Sequence, residues 1–122
     1  MCGIVGYTGF QDAYDVVING LRRLEYRGYD SAGIVLDSEN SEFVVAKTKG
    51  KVDDLVAISK DLSGKANVGM GHTRWATHGV PCERSAHPHI SGGLAVVHNG
   101  IIENHEVLRA RLMAEGYVFT SD

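Results

Sequence analysis

Apolar and polar positions alternate along this chain in short blocks, and the period changes from block to block. Residues 2–8, CGIVGYT, read as a short buried strand. Residues 11–28, QDAYDVVINGLRRLEYRG, put Ala13, Val16 or Val17, Leu21 and Leu24 on one helical face. Asp12 is placed to cap that helix, and Gly28 lies just past its end. Gly20 inside it costs about 1 kcal/mol relative to alanine. Residues 31–37 (SAGIVLD) and 42–48 (EFVVAKT) read as two strands joined by the polar turn SENS. Residues 51–62 suit a second helix, which SGKAN ends. VGMGHTRWATHG begins as a strand and becomes a glycine-flanked loop, and GGLAVVHNG is another strand running into a loop. Residues 104–116 predict a third helix, with Val107, Leu108 and Leu112 inward and Gly116 at its C′ position. YVFTS starts a further strand at the end of the chain.

The 122 residues suffice for one modest domain with a real core. There is no internal repeat, low-complexity tract or linker. The strand signal just before the last residue implies a domain that is cut rather than complete. A formal net charge of -3 gives no reason to expect nucleic acid or an anionic membrane as partner. Acidic and polar residues interrupt the first twenty positions, which argues against a signal peptide, and no apolar run is long enough to span a bilayer. With only Cys2 and Cys82 and no export signal, the expected compartment is the reducing cytoplasm.

Three polar clusters follow predicted strands: RGYDSAG, HTRWATHG and HNGIIENH. Cys2 stands directly after Met1, so loss of Met1 would leave a thiol and a free α-amine on one residue. Their ordinary pKa values are near 8.5 and about 7.7–8.0, which suits a nucleophile with its own base at neutral pH. The plainer alternative is a small apolar residue opening a strand. Arg74 offers a planar fork for a carboxylate. Asn99 offers a side-chain NH₂ and Gly100 an unobstructed backbone N–H, the donors a tetrahedral oxyanion needs. Trp75 could exclude water. Each has an ordinary alternative: a surface ion pair for Arg74, a turn for Asn99–Gly100, core for Trp75. Six histidines raise a metal hypothesis, and Cys82, His87 and His89 cluster in CERSAHPH. No CxxC or HExxH accompanies them, so His87 and His89 are expected to be hydrogen-bonded structure on a proline-bent loop, with no metal. Cys82 itself reads as incidental.

MCGIVGY, LRRLEYRGYDSAGI, GHTRWATHG and VVHNGIIENH together resemble the class II, N-terminal-nucleophile glutamine amidotransferases. RWATHG and HNGIIENH are similar to the aminosugar branch, the glutamine–fructose-6-phosphate aminotransferases. The motifs run in family order across nearly the whole chain. The resemblance implies an α+β fold, the four-layer αββα sandwich of N-terminal-nucleophile hydrolases, incomplete here. Residues 1–122 would be the N-terminal portion of the glutaminase domain, with the isomerase domains absent. Cys2 would attack the side-chain amide of L-glutamine, release ammonia and form a γ-glutamyl thioester that water hydrolyses. Arg74 would bind the α-carboxylate, while Trp75, Thr77 and His78 would line or close over the pocket. Asn99 and Gly100 would form the oxyanion hole. Arg27 and Asp30 match a segment that supports the N-terminal strand.

The resemblance implies no metal or organic cofactor in this half. It makes fructose 6-phosphate a substrate only of a full-length enzyme, which would aminate it to glucosamine 6-phosphate. The family's aspartate for the α-amine of glutamine would fall one or two positions beyond Asp122. Missing strands would leave an uncovered apolar face, which invites self-association into a homo-oligomer. The alternative function is a non-catalytic fragment that binds glutamine or associates with itself. A retained Met1 would turn the α-amine into an amide and abolish turnover.

Overall fold

The computed structural model describes residues 3–38, 43–64, 66–74 and 86–119, with the Arg27 side chain excepted. Its elements are β1 (Gly3–Thr8), α1 (Ala13–Arg23), β2 (Ser31–Ser38), β3 (Phe43–Lys49), α2 (Val52–Ser59), β4 (Ala66–Arg74), β5 (His89–Ser91), β6 (Leu94–Val96) and α3 (His105–Ala114). Single 3₁₀ turns follow α1 and α2.

Four strands form an antiparallel sheet in the order β1-β4-β2-β3. β4 is therefore interior, paired on one side with β1 (Gly3 opposite Thr73) and on the other with β2 (Ser31 opposite Arg74). Successive side chains of a strand point to opposite faces, and the two faces of β4 differ. Gly69 and Gly71 face α1. A Cβ on Gly71 would come within 2.5 Å of Val17, and one on Gly20 of α1 within 2.8 Å of Val5. Small residues on both sides thus let the helix lie close to the sheet, which accounts for a glycine in mid-helix. Ala13, Val17, Ile18 and Leu21 of α1 pack with Ile34 and Leu36 of β2 and with Val52 and Leu55 of α2, and this cluster is the core.

The helix ends follow elementary capping chemistry. The Tyr14 N–H donates to the Asp12 carboxylate (3.3 Å), and the Lys51 N–H donates to Asp54 (2.9 Å). The Val52 N–H donates to the Tyr29 hydroxyl (2.7 Å), which in turn donates to Glu25 (3.0 Å). Tyr29 thereby joins the segment after α1 to the start of α2. Burial pushes its pKa up to about 12, so it remains a neutral donor.

Val68, Met70, His72 and Arg74 lie on the opposite face of β4. The β5–β6 hairpin packs over this face and leaves a cleft of about 250 Å³ lined by Val35, Phe43, Met70 and Leu94. The helices, the main sheet and this beginning of a second sheet agree with an incomplete αββα sandwich.

Four expectations need correction. Within β1 only Gly3 is buried, and residues 4–8 alternate between exposed and half-buried, so this is not a buried strand: β1 is an edge strand with one face open. The third helix exists, and Gly116 takes the positive φ of a C′ residue (96°). It buries none of its residues, however: Val107 is 70% exposed, and Leu108 and Leu112 are not buried either. Its apolar stripe has nothing among the described residues to pack on. Residues 117–119 are irregular, not a strand; 120–122 lie outside the described residues. β5 falls where the proline-containing stretch reads as a loop.

Candidate active site

The open end of β4 gathers the groups with chemistry. His72 and Arg74 are two residues apart and so share a face. His72 has no exposed surface and Arg74 only 9%. The main chain holds this strand end firmly. The Asp30 N–H donates to the Arg74 carbonyl (2.7 Å), and the Gly50 N–H donates to the Asp30 carbonyl (3.0 Å). Asp30 thus braces the end of β4. Gly3, which follows Cys2 in the sequence, pairs with Thr73, the neighbour of Arg74.

The loop after β6 comes to the same place. His72 Nε2 and Asn99 Oδ1 are 2.7 Å apart. The His72 ring stacks on that of His87, with centroids 4.1 Å apart and planes inclined by 22°, and His87 meets His89 at 4.4 Å. The His98 N–H donates to His87 Nδ1 (3.3 Å). The loop carrying Asn99 is therefore tied to the histidine stack at two successive residues. Asn99 and Gly100 themselves are exposed. Gly100 has φ 139°, a backbone shape that other residues rarely adopt.

The stack is electrically neutral at physiological pH. Burial lowers the pKa of His72, even though its hydrogen bond to Asn99 opposes the shift. Burial also lowers His87, to about 3, with repulsion from His72 and His89 adding to it. Burial again dominates for His89, and the positive charges of Lys47 and Arg74 contribute. Among the described residues, no group of three or more His, Cys, Asp or Glu side chains is arranged to hold a metal ion.

Arg74, Asn99 and Gly100 are thus carried by segments that meet at His72. Cys2, Trp75, Thr77, His78 and Cys82 lie outside the described residues, as does the Arg27 side chain; the Arg27 backbone forms the end of a 3₁₀ turn. His72 also belongs to this strand end, although in the sequence it stands out only as one of six histidines able to bind a metal. Its position two residues before Arg74 in a strand was the available signal.

No family model matches the chain. Whole sequences do. The chain is 59% identical over 125 residues to a glutamine–fructose-6-phosphate aminotransferase [isomerizing] of Bacteroides thetaiotaomicron, a match spanning 99% of this chain and 20% of the relative. It is 53% identical to the enzyme of the same description from Pyrococcus horikoshii, across 100% of this chain and 21% of that one. The chain therefore spans about a fifth of the length of the curated relatives it matches. Among solved structures it is similar to the glutamine phosphoribosylpyrophosphate amidotransferase of B. subtilis, with a TM-score of 0.79, 25% identity, and coverage of 98% of this chain and 26% of that one. A structure described as the allosteric regulatory enzyme of purine biosynthesis gives a TM-score of 0.82 at 25% identity, with 99% and 27% covered.

Proposed function

Because the chain belongs by its sequence with the glutamine–fructose-6-phosphate aminotransferases and has the fold of an N-terminal-nucleophile glutamine amidotransferase, we propose that residues 1–122 are the N-terminal part of a glutaminase domain. The reaction is hydrolysis of the side-chain amide of L-glutamine to glutamate and ammonia. The observation that carries this reading is the meeting of Arg74, Asn99 and Gly100 around His72 at one strand end.

The mechanism follows from the chemistry of these groups. Once Met1 is removed, the Cys2 α-amine accepts the thiol proton and the sulfur attacks the amide carbon. The carbonyl oxygen becomes an oxyanion, stabilised by the Asn99 NH₂ and the Gly100 N–H. Collapse expels ammonia, which leaves with the proton returned by the α-amine, and a γ-glutamyl thioester remains. Water adds to the thioester, and glutamate departs as the thiol is restored. Arg74 holds the α-carboxylate through a two-pronged charge-assisted contact. Trp75, Thr77 and His78 line or close the pocket. Arg27 and Asp30 support the strands that present these groups. In a longer protein of this family, the ammonia would aminate fructose 6-phosphate to glucosamine 6-phosphate.

Glutamate release from glutamine tests this reading. The intact protein carrying this sequence should hydrolyse glutamine, and Asn99→Ala should lower kcat about a hundred- to a thousandfold. Unchanged kcat in that variant would remove Asn99 from the mechanism. Protein whose mass still includes Met1 should be inactive, and turnover by it would exclude the α-amine as base.

A further inference from the structure

We infer that His72 is a positioning residue: its Nε2–H donates to Asn99 Oδ1 and so turns the Asn99 NH₂ toward the oxyanion. This rests on the proposed role of Asn99 and adds a residue to it. A 2.7 Å contact between an imidazole nitrogen and an amide group can be made in two ways. If Nε2 carries the proton, Asn99 accepts through oxygen and keeps both N–H bonds for the substrate. If Nε2 is bare, the amide must present its nitrogen to His72, and its carbonyl oxygen then faces the substrate. That second arrangement repels an oxyanion. The proton position on one buried ring therefore decides whether the exposed amide stabilises or opposes the transition state.

The surroundings suit a fixed orientation. His72 sits on an interior strand paired on both sides, with no exposed surface. Its ring cannot swing freely, because the His87 ring lies against it at 4.1 Å. His87 is held in turn. The His98 N–H donates to its Nδ1, and its carbonyl oxygen rests where a side chain on Gly33 would be, 1.7 Å from an ideal Cβ position. A line of contacts thus runs from Gly33 through His87 and His72 to Asn99. Burial holds His72 neutral, so it has a single ring proton to place.

The test compares His72→Phe, which keeps a flat ring against His87 but has no donor, with His72→Gln, which retains an N–H donor. In the intact protein carrying this sequence, His72→Phe should lower kcat for glutamine hydrolysis on the order of a hundredfold, the scale of an ångström-level misplacement. KM should stay within about twofold, since Asn99 acts on the transition state and not on the bound substrate. His72→Gln should recover most of the loss. The double variant with Asn99→Ala should be no slower than Asn99→Ala alone. If Asn99→Ala is slow but His72→Phe is as fast as wild type, His72 does not position Asn99. If Asn99→Ala itself is as fast as wild type, the oxyanion role fails first. One measurement needs no variant: the ¹⁵N spectrum of the wild-type histidine rings should show the His72 proton on Nε2. A proton on Nδ1 would overturn the inference even if His72→Phe fails to fold.

Discussion

At the scale of single residues, the site rests on small groups placed where larger ones would not fit. Gly33 shows this directly. The His87 carbonyl occupies the space of a Cβ, so Gly33→Ala must push residues 87–88 off the sheet. The expected cost is about 1–3 kcal/mol of stability, typical of overpacking, read as a lower urea midpoint. The loss should come with a fall in kcat, because the displaced ring is the one that backs His72. A Gly33→Ala protein with wild-type stability and turnover would contradict this packing. Arg74, Asn99 and Gly100 were legible as candidates because their chemistry is explicit in their side chains or lack of one. His72 was not, since its role depends on a loop 27 residues away. No local pattern encodes that meeting.

At the scale of elements, helices with caps and strands with clear boundaries were read correctly. Asp12 before α1 and glycine at the C′ position of α3 are local signals, and the structure realises both. The two-residue Gly92–Gly93 link between β5 and β6 was a hairpin signal that the neighbouring Pro88 obscured. Burial was harder to read than element type, because it depends on what lies opposite. The apolar stripe of α3 predicts a packed face, yet none of its residues is buried. In the 122-residue chain, α3 amides should therefore exchange with deuterium orders of magnitude faster than those of β4, and comparable protection would contradict this placement. Tyr29 links two elements through one hydroxyl. Tyr29→Phe leaves the N–H of buried Val52 without its acceptor, at a cost of about 1–3 kcal/mol in a denaturant titration.

At the scale of the whole molecule, two features set its behaviour. The first is the neutral histidine stack. An unfolded histidine binds a proton near pH 6.5, whereas His72, His87 and His89 resist it when folded. Above pH 6.5 neither state holds the extra proton, so these rings add no pH dependence to stability. Below that value the unfolded state takes up protons first, so stability falls as pH falls, until each folded pKa is reached. For His87 that range extends down to about pH 3. Each ring contributes a slope of up to about 1.4 kcal/mol per pH unit. Replacing His87 with Phe should flatten the acid limb of stability against pH, and an unchanged limb would contradict the assignment. The second feature is the set of exposed apolar side chains on the strands, among them Ile4, Val45, Val68, Leu94 and Val96. The 122-residue chain alone should associate as its concentration rises, seen as a growing apparent mass in sedimentation.

If this strand end serves a nucleophile on Cys2, that thiol is open to covalent capture, which an intact mass reads out. The intact protein would be incubated with an electrophilic glutamine analogue and weighed. The expected product has the mass of the chain without Met1 plus a single adduct, with no adduct in Cys2→Ala. Folded protein that has lost Met1 and stays unmodified, or an adduct that persists in Cys2→Ala, would contradict it.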